Sequence, residues 1–491
     1  MRIEHGLSTG QVLQRLGKTA RAEVSGVCAA GGPVLATLCK GARPLPRWKQ
    51  LQVGAAKGGR FKAKLSGLHA GGPYKLKLSV GQEHAEVRDL FVGDVWLLAG
   101  QSNMQGIGNL DGAAKPHPLV RCLCMDGRWR KAEEPLHLMA ISPDPVHSGK
   151  APSAYADAFK AARIRGKGTG VGLFFAREML ARSRGVPQGL LACAHGGTSM
   201  EQWDPAKRDL GGKSLYGSML RTLREAAQPV AGLLWYQGES DCNAQAAKLY
   251  TERMRTFVAS VRRDLKQSGL PFLLVQLGRL AQEEGPAGRH WESVREQQRR
   301  LPERIANLGV VPAIDLPLDD GIHIGADGFV ELARRLARQA GRLAHGNRKE
   351  RPEPSPVKAE AASSPFTQKH NPDAVRVRFE HAVGGLRACG TAARSCGTAA
   401  PGCESTGAGA CATCNPSGFA LVRQDGSTAS GSIFRVKLER DAALILCRQP
   451  LGEDIVGVIY GPGLNPHCNI TDARGAGLPA CGPLYISRKL R

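Results

Sequence analysis

Hydrophobic and polar positions divide the chain into three regimes. Up to about residue 90, short runs alternate. In Tyr74-Lys75-Leu76-Lys77-Leu78-Ser79-Val80, the residues Leu76, Leu78 and Val80 fall on one side and Lys75, Lys77 and Ser79 on the other, which is the period of two of a half-buried strand. Residues 22–27 and 33–38 repeat the pattern, and Gly-Gly and Gly-Pro pairs punctuate the runs. This predicts a small β-sandwich module over residues 1–90.

From 91 to 345 the rhythm becomes strand, loop, helix. Continuous apolar runs at 94–99, 189–194, 231–236, 272–277 and 309–314 read as buried parallel strands. Helical periodicity at 172–182, 214–227, 244–266, 291–305 and 327–343 links them. Right-handed crossovers would place helices on both faces of a five-stranded parallel sheet, giving an α/β protein with a three-layer α/β/α sandwich. Residues 105–168 break the rhythm and read as a long insertion near the mouth of a site. Residues 346–371 read as a Pro/Ser-rich linker. Alternation then returns and predicts a C-terminal β-domain over 372–491, with a Gly/Ala/Cys-rich irregular loop at 388–416.

Composition adds charge and thiols to this picture. With 67 Lys and Arg against 43 Asp and Glu, the formal net charge is +24, which invites a nucleic-acid reading. The arginines are instead scattered over predicted helices with few aromatics between them and no nucleic-acid motif, so a basic solvated surface is expected and no nucleic-acid partner. No apolar run is long enough to span a bilayer, and Met1-Arg2-Ile3-Glu4-His5-Gly6 lacks the apolar core of a secretory signal, so a cytoplasmic location is expected. Of the 14 cysteines, most sit in apolar settings suited to burial. Cys389, Cys396, Cys403, Cys411 and Cys414 crowd together. Cys411-x-x-Cys414 has a zinc-like spacing, but the other spacings are wide, so disulfides or reduced thiols are expected rather than a metal site. No cofactor is expected.

Chemistry concentrates where four of the five strands end. Gly100-Gln101-Ser102-Asn103, His195-Gly196-Gly197-Thr198, Gln237-Gly238-Glu239-Ser240-Asp241 and Asp319-Asp320-Gly321-Ile322-His323 each follow an apolar run, and ligands of open α/β sheets bind at such ends. Acyl transfer by a serine needs a base, a carboxylate to orient it and donors for the oxyanion. Ser102 supplies a nucleophile, His323 a base and Asp320 its orienter, with Asp319 as the alternative carboxylate. Backbone N–H groups of Ser102 and of Gly196 or Gly197, with the Gln237 amide, can serve the oxyanion. Glu201 and Glu239 read equally as sugar contacts or as braces for backbone N–H groups. Trp203 reads as a stacking platform for a sugar ring, and Trp235 as core. The plainer readings are a helix cap for Ser102, a loop imidazole for His323 and a helix-entry carboxylate for Asp320.

Gly100-Gln101-Ser102-Asn103-Met104, Gly196-Gly197-Thr198-x-x-Glu201-x-Trp203, Trp235-x-Gln237-Gly238-Glu239-x-Asp241 and Asp320-x-x-His323 together resemble the signature blocks of the sialate O-acetylesterase group of SGNH hydrolases, to which similar acetylxylan esterases belong. The resemblance covers about residues 10–345. It implies an SGNH, flavodoxin-like esterase domain over 91–345 and a metal-independent serine deacetylase acting on O-acetylated sugars. Ser102 matches the nucleophile, His323 the base and Asp320 its partner. Gly196 or Gly197 matches the oxyanion glycine, and Gln237 stands where other SGNH enzymes carry Asn. Gln101, Glu201, Trp203 and Glu239 are expected to contact substrate. Members of the group are commonly exported, which leaves the periplasm or the exterior open. A catalytically silent glycan-binding protein and a lipase- or thioesterase-like hydrolase are the alternative functions.

Overall fold

The computed structural model describes residues 1–149, 151–285, 287–364, 372–388 and 415–488. The five clustered cysteines expected in an irregular loop lie outside the described residues. The chain forms two compact units, Met1–Trp235 with Phe257–Pro271, and Tyr236–Thr256 with Phe272–Arg491.

The first unit begins with antiparallel strands whose alternation is visible in their burial. Along Arg60–His69 the residues Phe61, Ala63, Leu65 and Leu68 are buried while Lys62 and Lys64 are exposed. Along Gly71–Val80 the residues Leu76, Leu78 and Val80 point into the same core. The key element is the 18-residue strand Glu83–Gly100. Its first half pairs antiparallel with Gly71–Val80, and its second half runs parallel to Gln188–Ala192, with Trp96 opposite Leu190. Gln188–Ala192 in turn pairs in parallel with Val120–Leu123, a strand from the segment read as an insertion. Arg15 locks the register of Val12–Leu16 against the long strand, its Nε and Nη2 donating to the buried Asp94 carboxylate at 2.8 and 2.9 Å.

In the second unit, Phe272–Gln276 and Leu308–Pro312 pair in parallel, Phe272 opposite Leu308. A separate seven-stranded sheet is built from Phe419–Arg423, Ile455–Tyr460, Cys481–Ser487, Ser355–Ala362, Ala374–Glu380, Ala442–Cys447 and Ile433–Leu438, in that order. It is mixed, because Ser355–Ala362 and Cys481–Ser487 run parallel while their other neighbours are antiparallel. The strand Ser355–Ala362 lies within the expected linker; Pro356, Ala359 and Ala362 bury its inner face.

The expected three-layer α/β/α sandwich on a five-stranded parallel sheet is overturned. The protein is mostly β, a closed seven-strand mixed β-barrel plus a half-barrel, with 26% helix. The physical reason lies in the long strand. Leu76 pairs with Val87 and Tyr74 with Leu90, so Arg88 and Asp89 form a bulge opposite Lys75, with Asp89 at φ 49°. A bulge bends a strand without ending it, so the run at 94–99 is the far half of a strand that begins in the antiparallel sheet, and its parallel pairing with Gln188–Ala192 extends that one sheet instead of opening a separate one. Among the described residues no helix is long and apolar enough to cross a membrane.

Candidate active site

Ser102 opens the short helix Ser102–Gln105 directly after the strand that ends at Gly100. The turn is closed by Met104 and Gln105 N–H groups on the Gln101 carbonyl and by Gly106 N–H on the Ser102 carbonyl, at 2.8 to 2.9 Å. Gln101 is buried beside it. The backbone after the neighbouring strand Gln188–Ala192 comes against this helix. His195 N–H donates to the Gly100 carbonyl at 2.9 Å, and Gly196 N–H to Gln105 Oε1 at 2.7 Å. A Cβ on Gly196 would lie 2.9 Å from Gln105 Oε1, closer than side-chain carbons pack, and 3.4 Å from Ser102 Cβ, an ordinary contact, so the loop packs directly on the serine turn. Gly196 N–H is thus engaged by Gln105. Gly197, at φ 69° and exposed, has open space where a side chain would be.

Behind this loop runs a chain of polar groups. His195 Nδ1 lies 3.0 Å from His147 Nδ1, and His147 Nε2 lies 2.9 Å from Ser218 Oγ. Ser218 Oγ donates to the Asp144 carboxylate, which also receives Arg221 Nε at 2.9 and 2.8 Å. Ser218 and Arg221 are three apart on the helix Leu215–Ala226, so both reach Asp144 from one face. Burial, then the neighbouring His195 ring, pushes the His147 imidazole down to about 3, and burial lowers His195 as well. Both rings are therefore neutral near pH 7. Sequence reading passed over His147, Ser218 and Arg221. The available signal was Asp144-Pro145-Val146-His147, the same Asp-x-x-His spacing as Asp320 and His323.

In the second unit, Gln237 is fully buried and its amide Nε2 donates to Asp241 Oδ2 at 2.6 Å. Its carbonyl receives Tyr250 Oη and Gln298 Nε2, each at 3.0 Å, so backbone and side chain are both held. Asp241 in turn lies 3.5 Å from Arg253 Nη1. Glu239 is half-buried at the start of the turn Glu239–Asp241.

Asp320 and His323 sit on the loop before the helix Ala326–Leu343. The Asp320 carboxylate accepts the His323 ring at Nδ1, 2.9 and 3.1 Å from its two oxygens, and also the backbone N–H groups of Ile322 and His323 at 3.0 and 2.8 Å. Partial burial pushes this carboxyl up, but the Ile322 N–H, the His323 ring and the His323 N–H outweigh it and hold the pKa at about 2. Asp319 faces elsewhere: its carboxylate lies where a side chain on Gly325 would be. With Nδ1 on the carboxylate, His323 Nε2 is the nitrogen left for proton transfer.

One substrate expectation changes. Trp203 is fully buried, donates its N–H to Thr198 Oγ1 at 2.9 Å, and packs edge-on to Trp235, ring centroids 5.4 Å apart. It is core, not a platform for a sugar ring, because Thr198 turns the indole inward. Glu201 is exposed, and its carbonyl receives Lys207 Nζ.

The family model described as carbohydrate esterase, sialic acid-specific acetylesterase matches residues 92–342. A protein of Arabidopsis thaliana named as a probable carbohydrate esterase is 27% identical over 283 residues, covering 53% of this chain and 95% of its own. The crystal structure of a carbohydrate acetylesterase from Xanthomonas citri aligns with a TM-score of 0.64 at 23% identity, over 96% of this chain and 97% of that one, a likeness of fold.

Proposed function

The chain belongs to the carbohydrate esterase family of sialic acid-specific acetylesterases, and from that premise we propose that it removes O-acetyl groups from sugars through an acetyl-Ser102 intermediate. The observation that carries this reading is the Asp320 carboxylate on His323 Nδ1, the arrangement that fixes an imidazole as a base at its other nitrogen. Ser102 Oγ attacks the acetyl carbonyl while its proton passes to His323 Nε2. The oxyanion is met by the N–H groups of Ser102 and Gly197 and by the Gln237 amide, which Asp241 orients. Protonation of the sugar oxygen by His323 lets the carbon–oxygen bond break. Water, deprotonated by the same ring, then releases acetate and restores Ser102.

The substrate in this reading is an acetylated sugar, sialic acid or a plant-type polysaccharide. Acetate release from acetylated sialic acid, xylan and pectin tests it. Release from one of these, lost in Ser102→Ala, supports the proposal. Release from none of them, with long-chain esters cleaved instead, refutes it in favour of a lipase-like activity.

A further inference from the structure

The hydrogen bonds behind Ser102 have one direction. Asp144 is an acceptor toward Arg221, so the Ser218 hydroxyl must donate to it. That hydroxyl has a single hydrogen, so the contact between His147 Nε2 and Ser218 Oγ is a donation by the imidazole. In a neutral ring His147 Nδ1 is then an acceptor, and the 3.0 Å contact requires His195 Nδ1 to carry the proton. The other nitrogen of His195 holds a lone pair. Among the described residues nothing is bonded to it, and it is not buried. Its place is set by His195 N–H on Gly100 and by Gly196 against Ser102.

We propose that His195 Nε2 is a positioned hydrogen-bond acceptor for a free hydroxyl of the sugar substrate, next to the ester that Ser102 attacks. The inference rests on the reading of the chain as a sugar deacetylase. It explains why four side chains are spent on the tautomer of a ring outside the Asp320–His323 pair: an acceptor reads a hydroxyl only if it cannot switch to a donor. A ligand that lacks the hydroxyl, such as an aryl acetate, gains nothing from it.

His195→Asn keeps a donor toward His147 and removes the outer acceptor. His195→Gln places an amide oxygen near the outer position instead. The expected result is that His195→Asn loses about tenfold or more in kcat/KM on an acetylated sugar, with p-nitrophenyl acetate turnover and thermal stability unchanged, while His195→Gln keeps most of its sugar activity. Equal losses on both substrates, no loss on either, or equal impairment of the two variants would overturn the acceptor role. A wild type that cleaves p-nitrophenyl acetate through Ser102 but no acetylated sugar would overturn the deacetylase reading and this inference together. An active wild type with an unaltered His195→Asn would overturn the inference alone.

Discussion

Gly196 lies against Ser102: a side-chain carbon at position 196 would stand 3.4 Å from Ser102 Cβ and 2.9 Å from Gln105 Oε1, the atom that receives the Gly196 N–H. Gly196→Ala therefore forces the Gln105 amide aside and breaks the hydrogen bond by which it holds the Gly196 N–H against the serine turn. Because misplacement by about 1 Å can cost about 100-fold, kcat on p-nitrophenyl acetate is expected to fall by about 10- to 100-fold. Unchanged kcat in a folded variant would show that the loop tolerates the shift.

Asp320→Asn leaves the shape of the loop but replaces an acceptor by an amide that can present its hydrogens to His323 Nδ1, favouring the wrong tautomer. By analogy with the serine protease triad, a loss of about 10²- to 10⁴-fold in kcat is expected. The wild-type carboxyl, held at about 2, stays charged above pH 4, so no inflection in activity above that pH belongs to it. Its folded value lies below the unfolded one of about 3.9, so its contribution to stability is complete above pH 4 and is lost as pH falls through 2. Acid unfolding of wild type and Asp320→Asn, compared between pH 5 and 2, reads this directly: the two curves converge toward pH 2.

Arg335 and Asp315 form a fully buried bidentate pair, at 2.7 and 2.6 Å, and Arg335 Nη1 also holds the Pro312 carbonyl at the end of Leu308–Pro312. Removing one partner strands a buried charge, which costs about 3–5 kcal/mol. Arg335→Ala is expected to lower the urea midpoint accordingly. A shift within error would mean that water replaces the guanidinium.

Burial pushes the Glu134 carboxyl up to about 8, against the opposing N–H groups of Leu136 and Gly170. The folded state keeps this proton while the unfolded chain loses it above about 4.3, so stability declines as pH rises from about 4 to 8. Glu134→Gln, which mimics the protonated acid, removes that decline. The melting temperatures of variant and wild type should diverge from pH 5 to pH 8, the variant gaining; a constant difference contradicts the burial argument.

The local parts of the site were legible because they are written in adjacent residues. Asp320-x-x-His323 brings carboxylate and ring together within one loop, and the apolar run into Gly100-Gln101-Ser102 is a strand followed by a turn. The fold class was not legible, because a module boundary is expected between residues 90 and 91 while the strand Glu83–Gly100 runs through it, bent by the bulge at Arg88 and Asp89. Trp203 misled for a related reason: an indole suits a sugar face or a core equally, and the hydrogen bond to Thr198 decides it. The relay through His147 depends on Asp144 meeting the helix of Ser218 and Arg221 some 74 residues later, a pairing that spacing cannot express.

The most direct test of the account is the Ser102→Ala variant assayed for hydrolysis of p-nitrophenyl acetate and for labelling by a fluorophosphonate. The expected result is no labelling and a kcat lowered by at least about 10³-fold, with the melting temperature unchanged. Hydrolysis at the wild-type rate in Ser102→Ala, or labelling that persists there, would contradict it.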